Sequence, residues 1–265
     1  MLATRSILIT GGSRGIGLAT ARALAAGPRR ELALVLAARD ADALAAARVE
    51  VERAGHGRGP LRVCAVEADV ADAAAVATAM QAASEFAGPL DGLVLSAGIA
   101  ESAPLHKTSD ELLERTLAVN VWGVFRPLRS VLPDMVARGF GRVVVVASIA
   151  SLVGAAYTAA YTASKHAALG LVRAAAVEYG GKGITVNAAC PGYVDTDMTR
   201  RSLRRIAAKT GLTTEQALDR ILARVPQRRL VRPEEVAGAV AYLLSEEAAA
   251  VNGAVLTLDG GEIAG

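Results

Sequence analysis

Two side chains that could exchange a proton, the phenol of Tyr161 and the amine of Lys165, stand four residues apart. On a helix this spacing places both side chains on one face. A free phenol has a pKa of about 10, and a neighbouring ammonium stabilises the phenolate and lowers that pKa toward neutral pH. We therefore interpret Tyr161 as a candidate acid. Tyr157 has no lysine at this spacing, and a lone Tyr-x-x-x-Lys is by itself more often a surface pair.

A second chemical feature is the glycine-rich segment from Thr10 to Gly17, which follows an apolar run and precedes an Ala- and Leu-rich stretch. Glycines at 11, 15 and 17 allow a sharp turn and let backbone N–H groups approach a pyrophosphate at a helix N-terminus. The spacing differs from G-x-G-x-x-G, and a glycine-rich turn alone is as readily structural. Its position between a predicted strand and a predicted helix favours a dinucleotide site.

The end of the second predicted strand indicates which dinucleotide fits. An NAD site usually carries an acidic residue there, whereas this chain has Ala37, Ala38 and Arg39. Arg14 supplies a second guanidinium from the glycine-rich segment, and two such groups suit a 2′-phosphate. The sequence therefore predicts NADP(H) as cofactor; the alternative is that both arginines are ordinary surface residues.

The elements that position these residues alternate between strands and helices. Six stretches with helical periodicity separate seven short apolar runs, which cover residues 6–10, 32–37, 61–66, 92–95, 142–147, 184–188 and 254–258. Parallel strands need long crossover connections, which usually contain a helix. We predict an α/β fold: a single doubly wound Rossmann-type domain over residues 1–265, with a seven-stranded parallel sheet and helices on both faces.

Residues 197–232 form an insertion between the sixth strand and the next helix of this pattern. Insertions at the carboxyl ends of strands often cover a ligand, and we expect this one to cover the substrate. Thr213 and Gln216 have the spacing of a capping box, which predicts a helix running toward Pro226. A further helix is predicted from Pro233 to Ser245.

Composition narrows the class of protein. With 52% hydrophobic and 21% charged residues, the chain has the apolar content of a folded protein. The 22 residues from Val143 to Ser164 carry no charge and are long enough to cross a bilayer. They also contain many hydroxyl side chains, which would lack hydrogen-bond partners in hydrocarbon. We therefore expect no membrane span there.

Other residue types limit the compartment and the partners. Cys64 and Cys190 are isolated, and no signal-peptide pattern precedes the glycine-rich segment, which predicts a reduced, cytoplasmic protein. His56, His106 and His166 lie far apart, and we expect no metal site. A net charge of +3 with 3% aromatic residues gives no stacking surface for nucleic acid.

Further short motifs occur in order: Asp69-Val70, Ser96-Ala97-Gly98, Asn120, Ser148, and Pro191-Gly192 with Thr196. With the features above, they make the chain from Ser6 to Gly261 resemble a classical short-chain dehydrogenase/reductase. Residues 190–198 and 215–242 resemble β-ketoacyl and polyketide ketoreductases and 3-hydroxyacyl dehydrogenases. The family usually has Asn where this chain has Ser96. We expect Ser96 still to offer a hydrogen bond to the neighbouring strand, with altered local stability or cofactor positioning rather than lost chemistry.

The resemblance implies four catalytic residues. Tyr161 would protonate a carbonyl oxygen that Ser148 hydrogen-bonds, and Lys165 would lower the pKa of Tyr161 and bind the nicotinamide ribose. Asn120 would hold a water that links Lys165 to solvent. The alternatives are that Ser148 merely ends a strand, with Ser151 as a nearby rival, and that Asn120 is a buried polar residue at a helix irregularity.

The resemblance also implies the cofactor site. Asp69 and Val70 would flank the adenine, and Val194 and Thr196 would meet the nicotinamide carboxamide. The complete predicted set is Gly11, Ser13, Arg14, Gly15, Ile16, Gly17, Arg39, Asp69, Val70, Ser96, Ala97, Gly98, Tyr161, Lys165, Pro191, Gly192, Val194 and Thr196.

The substrate side is less specific. We predict pocket walls from Val153, Tyr157, Tyr193 and Met198. Four arginines of the insertion (200, 201, 204 and 205) predict an amphipathic helix with a basic face. That face is either a solvated surface or attracts a substrate carried by acyl carrier protein or coenzyme A. The resemblance further implies a homotetramer formed through the long helices after strands four and five.

The function predicted from these features is NADPH-dependent, reversible reduction of a ketone, best a β-ketoacyl thioester, to a secondary alcohol. An alternative within the family is an NAD(P)-dependent secondary alcohol, hydroxysteroid or sugar dehydrogenase. An alternative of another class is a regulatory protein that senses NADP without turnover.

Overall fold

All seven apolar runs form strands of one parallel sheet in a computed structural model that describes residues 6–27 and 31–264. The predicted domain also includes residues 1–5, 28–30 and 265, which lie outside the described residues. The strands are β1 (Ser6–Thr10), β2 (Leu32–Ala38), β3 (Leu61–Glu67), β4 (Gly92–Leu95), β5 (Gly141–Val146), β6 (Ile184–Pro191) and β7 (Val255–Leu258). The helices are α1 (Gly15–Ala26), α2 (Ala41–Ala54), α3 (Ala73–Ala87), α4 (Asp110–Leu117), α5 (Gly123–Arg138), α6 (Ala159–Tyr179), α7 (Asp197–Thr210), α8 (Thr214–Leu222) and α9 (Pro233–Leu243).

The strand order is β3-β2-β1-β4-β5-β6-β7, and every pairing is parallel. This confirms the predicted doubly wound α/β fold. The order reverses between β1 and β4, which opens a crevice at the carboxyl ends of these two strands. Because the strands are parallel, the loops that follow β1, β4, β5 and β6 all lie at this carboxyl edge.

Helices cover both faces of the sheet. The side chains of each central strand therefore alternate between two buried cores. In β5, Val143 and Val145 belong to the core packed by α3, α5 and α6, which includes Met80, Leu132 and Leu169. Val144 and Val146 belong to the other core, which α1, α2 and α9 complete with Leu24, Leu44 and Val240. The two cores hold β5 rigidly from both sides.

The insertion forms α7 and α8, which share a small core of their own made by Leu203, Ala217 and Ile221. The predicted capping box is present, since Thr213 Oγ accepts from the backbone N–H of Gln216 and the Gln216 side chain accepts from Thr213 N–H. The helix that begins at Pro233 ends at Leu243, two residues before the predicted end.

The uncharged run of residues 143–164 divides into three elements. It contains most of β5, a 3-10 turn from Ile149 to Ser151 and the start of α6. Within the described residues, none of the helices combines the length and the apolar character that crossing a membrane requires.

The turns before β5 and β6 pack together at the amino edge of the sheet, opposite the loops that carry the candidate site. Gly183 has a φ of +78°, and a Cβ built there would lie 2.1 Å from the carbonyl oxygen of Gly139. Gly211, at the end of α7, has a φ of +72° with nothing within 4 Å of such an atom. The two glycines share a backbone conformation and differ in available space.

We expect Gly183→Ala to destabilise the protein more than Gly211→Ala. Both substitutions place a Cβ in the left-handed region, which costs about 1 kcal/mol or more, and only Gly183→Ala adds a backbone clash worth roughly 1–3 kcal/mol. Urea unfolding of both variants measures the difference. Equal losses of unfolding free energy would contradict the close packing of the two turns.

Candidate active site

The residues with candidate chemistry converge at the carboxyl edge of the sheet. The glycine-rich segment follows β1, Ser96 to Gly98 follow β4, and Ser148 stands two residues beyond the end of β5. Tyr161 and Lys165 lie on α6 and Asn120 lies between α4 and α5. Segments distant in sequence thus meet because parallel strands end at one edge.

The structure distinguishes Ser148 from its rival Ser151. Ser148 Oγ accepts a hydrogen bond of 3.1 Å from Ala150 N–H at the start of the 3-10 turn, and it also hydrogen-bonds the Tyr161 side chain. Ser151 is also buried, but its Oγ has no hydrogen-bond partner within the part of the chain that the structure describes, and it lies near Cys190 rather than Tyr161. Ser148 is therefore the serine that the fold places beside the phenol of Tyr161.

Lys165 is 6% exposed, and its ammonium donates a hydrogen bond of 3.0 Å to the carbonyl oxygen of Val146. The Nζ atom lies 5.7 Å from the centre of the Tyr161 ring. Burial lowers the pKa of Lys165 to about 8, since desolvation disfavours the charged form. The amine still carries its proton at neutral pH.

The phenol of Tyr161 differs from the sequence-based expectation. Burial raises its pKa above the usual value, Cys190 and Tyr193 act in the same direction, and the hydrogen bond with Ser148 opposes them. Lys165, which was expected to lower this pKa, contacts the ring face and directs its hydrogen bond to Val146. The phenol therefore holds its proton firmly in this structure.

Asn120 lies in the middle of a π-helical turn, Ala118–Trp122, between α4 and α5. Its Oδ1 accepts from Ile99 N–H at 2.9 Å, and its Nδ2 donates to Ile99 O and to Ser164 Oγ at the same distance. A Cβ at Gly98 would lie 3.3 Å from Asn120 Oδ1 and 3.7 Å from Lys165 Nζ. The helix irregularity considered in the sequence is therefore this π-helical turn, and it places Asn120 across Gly98 from Lys165.

A cleft runs from the glycine-rich segment along the ends of β2, β3 and β4 to the start of α7. It is lined by Gly11, Ser13, Arg14, Gly15, Ile16, Ala38, Arg39, Ala68, Asp69, Val70, Ser96, Ala97, Gly98, Ile99, Val119, Thr196, Asp197, Met198 and Arg201. Twelve of these residues are in the predicted cofactor set. Five lining residues were not predicted, although each adjoins a predicted residue: Ala38, Ala68, Ile99, Val119 and Asp197.

The cleft suits an anionic, extended molecule. No described side chain caps the amino end of α1, and its first turn contains no acidic residue, so its N–H groups are left for another acceptor. At Gly17 a Cβ would lie 2.3 Å from Gly11 O, which shows how closely the glycine-rich turn packs on α1. These features fit the pyrophosphate of a dinucleotide.

Other predicted cofactor residues lie outside this cleft. Pro191 O accepts a long hydrogen bond of 3.5 Å from Ser148 Oγ, and Gly192 N–H donates to Leu258 O on β7. Val194 is 5% exposed and packs in the core beneath α9. Within the described structure these residues shape the edge of the sheet rather than the cleft wall.

Ser96 is attached to β1 through its backbone. Its N–H donates to Thr10 O at 3.3 Å and to Thr10 Oγ1 at 3.2 Å, and Ala97 N–H lies 3.4 Å from the same hydroxyl. We expected the Ser96 side chain to make the connection to the neighbouring strand. The backbone makes it, so a change of side chain at this position leaves the connection intact.

The four predicted substrate residues separate into two groups. Val153 and Tyr157 are exposed on the segment between β5 and α6, and Tyr193 lies close enough to Tyr161 to raise its pKa. Met198 lines the cleft beside Thr196 instead. Tyr157 has a φ of +65°, which is a strained conformation for an aromatic residue.

The arginines of α7 lie on the side of the helix away from its buried Thr199 and Leu203, as the sequence predicted, but they have different partners. Arg200 pairs with Asp195 at 2.5 Å and with Asp197 at 3.0 Å. Arg205 lies 4.0 Å from Glu101, and Arg201 lines the cleft. The helix therefore distributes these charges among different surroundings.

Comparison with known proteins agrees with this geometry. A family model described as enoyl-(acyl carrier protein) reductase matches residues 11–262. The 2-(R)-hydroxypropyl-CoM dehydrogenase of Xanthobacter autotrophicus is 40% identical, over 97% of this chain and 98% of that protein. The 3-oxoacyl-[acyl-carrier-protein] reductase MabA of Mycobacterium bovis is 36% identical, over 97% and 92%.

Among solved structures, a variant of the actinorhodin polyketide ketoreductase with NADPH superimposes with a TM-score of 0.89. It is 37% identical, and the match covers 98% of this chain and 97% of the other. Agreement in fold, in whole-chain sequence and in the order of the site motifs leads to one assignment. The chain belongs to the short-chain dehydrogenase/reductase family of oxidoreductases.

Proposed function

We propose that this protein uses NADPH to reduce a ketone to a secondary alcohol. The observation that carries the proposal is the pairing of Ser148 with a protonated Tyr161, one turn from Lys165, whose ammonium adjoins Gly98 of the cleft. A hydrogen-bond donor and an acid at one point are what a carbonyl oxygen needs when it gains negative charge.

Ser148 and Tyr161 divide the work on the carbonyl oxygen. The Ser148 hydroxyl donates a hydrogen bond that orients the oxygen, and the Tyr161 phenol transfers its proton to the forming alkoxide. Because burial raises its pKa, the phenol keeps this proton until a stronger base appears. An alkoxide is such a base, so transfer is downhill.

Lys165 and Asn120 act on Tyr161 rather than on the carbonyl oxygen. The Lys165 ammonium is held by Val146 O, and its charge stabilises the phenolate that remains after proton transfer. Asn120 lies across Gly98 from this ammonium, where a water between them would return a proton from solvent. Both are positioned by hydrogen bonds to backbone carbonyl groups of neighbouring segments.

The cleft would hold NADPH, which supplies the hydride when bound. The glycine-rich segment and the amino end of α1 would bind the pyrophosphate, and Asp69 and Val70 would flank the adenine. Arg39, at the end of β2, and Arg14 would bind the 2′-phosphate. Arg39 lies 3.7 Å from Asp69 in an exposed ion pair, which is weak enough to yield to a phosphate.

The state of Tyr161 favours reduction over alcohol oxidation. Oxidation needs a base that removes the proton of the alcohol, and a phenol with a raised pKa is a poor base at neutral pH. The alternative of a secondary alcohol dehydrogenase uses the same residues in the reverse direction. The electrostatics of this site support the reductive direction at neutral pH.

A β-ketoacyl thioester is the proposed substrate class. A relative named for 3-oxoacyl-[acyl-carrier-protein] reduction and a neighbour named as a polyketide ketoreductase support it. Tyr193 lies near Tyr161, and the exposed side chains of Val153, Tyr157 and Tyr193 would offer apolar surface to an acyl chain. The α7 and α8 insertion would cover this side of the site.

The proposed assembly is a cytoplasmic homotetramer. On the helices that follow β4 and β5, Trp122 and Val177 are 48% and 88% exposed, and such apolar surface suits burial against another copy. Trp122 packs edge-on against Phe125 at 5.7 Å, which gives this surface a rigid aromatic feature. Cys64 and Cys190 are free thiols, which suits a reducing compartment.

We expect Tyr161→Phe to lower kcat for a β-ketoacyl thioester by at least about 100-fold, because the general acid is lost. Tyr179→Phe is the matched control, since it removes a phenol hydroxyl from the same helix far from the site. NADPH absorbance measures both. Full turnover by Tyr161→Phe would refute the mechanism, whereas tight NADPH binding without turnover of any ketone by the wild type would favour the NADP-sensing alternative.

A second prediction follows from the buried ammonium. The pKa of Lys165 is about 8 in the folded protein against an ordinary value of 10.5, so the unfolded chain binds more protons between these values. The contribution of Lys165 to stability therefore rises with pH across this window. Relative to Lys165→Met, we expect the wild type to gain about 2 kcal/mol of unfolding free energy between about pH 7 and pH 10.

The activity of the wild type should move in the opposite direction. Reductive kcat/KM should fall above about pH 8, as Lys165 loses the charge that stabilises the phenolate. Urea unfolding and NADPH absorbance over the same pH series measure the two trends. If the stability difference between wild type and Lys165→Met stayed constant with pH, Lys165 would not titrate in this window.

A third prediction concerns the choice of cofactor. Arg39→Ser should lower the ratio of kcat/KM for NADPH to that for NADH by about tenfold, since one charge-assisted hydrogen bond to the 2′-phosphate is lost. Arg53→Ser, at the far end of α2, removes the same charge away from the cleft and should leave the ratio unchanged. A wild type that prefers NADH would refute the role of Arg39.

A further inference from the structure

The first turns of α7 form one wall of the cleft. Asp197, Met198 and Arg201 line it, and their spacing places them on one face of the helix. The opposite wall is the glycine-rich segment. It comes close to the start of α7, as shown by the distance of 3.4 Å between a Cβ built on Gly15 and Thr196 Cγ2. A molecule that occupies the amino end of α1 therefore lies within reach of α7.

Arg201 differs from the other basic residues of α7 in its surroundings. Arg200 is held by Asp195 and Asp197, Arg205 lies near Glu101, and Lys209 Nζ donates to Ser102 O at 3.4 Å. Arg201 reaches the cleft, and no described carboxylate lies within 4.0 Å of its guanidinium.

The charges around Asp197 show which part of the cleft Arg201 faces. The pKa of Asp197 is lowered mainly by the hydrogen bond from Arg200, and the charges of Arg201 and Arg14 lower it as well. Arg14 extends from the glycine-rich segment and Arg201 from α7, so two cations face the same part of the cleft from different elements. Asp197 is already engaged by Arg200, and Asp69 by Arg39. Arg14 and Arg201 are thus left without a described carboxylate partner of their own.

We propose that Arg201 is a cofactor-binding residue that contacts the pyrophosphate of the dinucleotide from α7. This inference rests on the proposed function, because it assumes that the cleft holds NADP(H). A pyrophosphate carries two negative charges, and Arg201 supplies a cation opposite the N–H groups of α1. The insertion proposed to cover the substrate would then also bind the cofactor.

The test is the affinity of the full-length protein for NADP⁺ and NAD⁺ without substrate, measured by calorimetry. Arg201→Ala should raise both dissociation constants by about tenfold, because the pyrophosphate is common to the two molecules. Arg204→Ala is the matched control: it removes the same charge from an exposed position of α7 outside the cleft. It should leave both dissociation constants unchanged. Arg201→Lys should recover part of the affinity.

Other results would overturn the inference. If Arg201→Ala weakened the binding of NADP⁺ but not that of NAD⁺, Arg201 would be assigned to the 2′-phosphate. If Arg204→Ala weakened binding equally, the effect would be one of general charge. Unchanged affinities with a raised KM for a coenzyme A thioester would assign Arg201 to the substrate. If the wild type bound neither dinucleotide, the proposed function itself would fail, which separates that failure from failure of this inference alone.

Discussion

The buried ammonium of Lys165 is the interaction on which the rest of the site depends. A cation removed from water is costly unless it is hydrogen-bonded, and Val146 O, at the end of β5, provides the bond. This bond holds α6 against the carboxyl end of that strand. Tyr161, one turn earlier on α6, is thereby placed beside Ser148, which follows the same strand. One hydrogen bond therefore connects the core of the sheet to the position of the acid.

The strands were predictable from sequence because each is a short apolar run separated from the next by a helical pattern. The identity of Tyr161, Ser148 and Asn120 depended on motif order, since each is unremarkable alone. The electrostatics were not predictable in the same way. The pKa of Tyr161 depends on burial and on Cys190 and Tyr193, which reach it only after folding. The i, i+4 lysine alone therefore does not predict the direction of the net shift, because burial of the phenol is the largest effect.

The insertion shows a related limit of sequence reading. Four arginines within six positions indicate one basic surface, but the sequence does not show which partner each arginine meets. Arg200 pairs with Asp195, whereas the next residue, Arg201, lines the cleft. Met198 likewise lines the cleft. Assigning such residues requires the position of α7 over the glycine-rich segment, and that position is set by contacts between distant parts of the chain.

The hydrogen bonds of Asn120 restrict the route by which Tyr161 could recover a proton. Both N–H groups of its side chain are donated, and one lone pair of Oδ1 is taken by Ile99 N–H. Oδ1 has a second lone pair and borders the space at Gly98, where a Cβ would lie 3.3 Å from Oδ1 and 3.7 Å from Lys165 Nζ. A bridging water needs at least two polar partners, and these two atoms are the ones available there. The absence of a side chain at Gly98 therefore keeps open a direct path between Asn120 and Lys165.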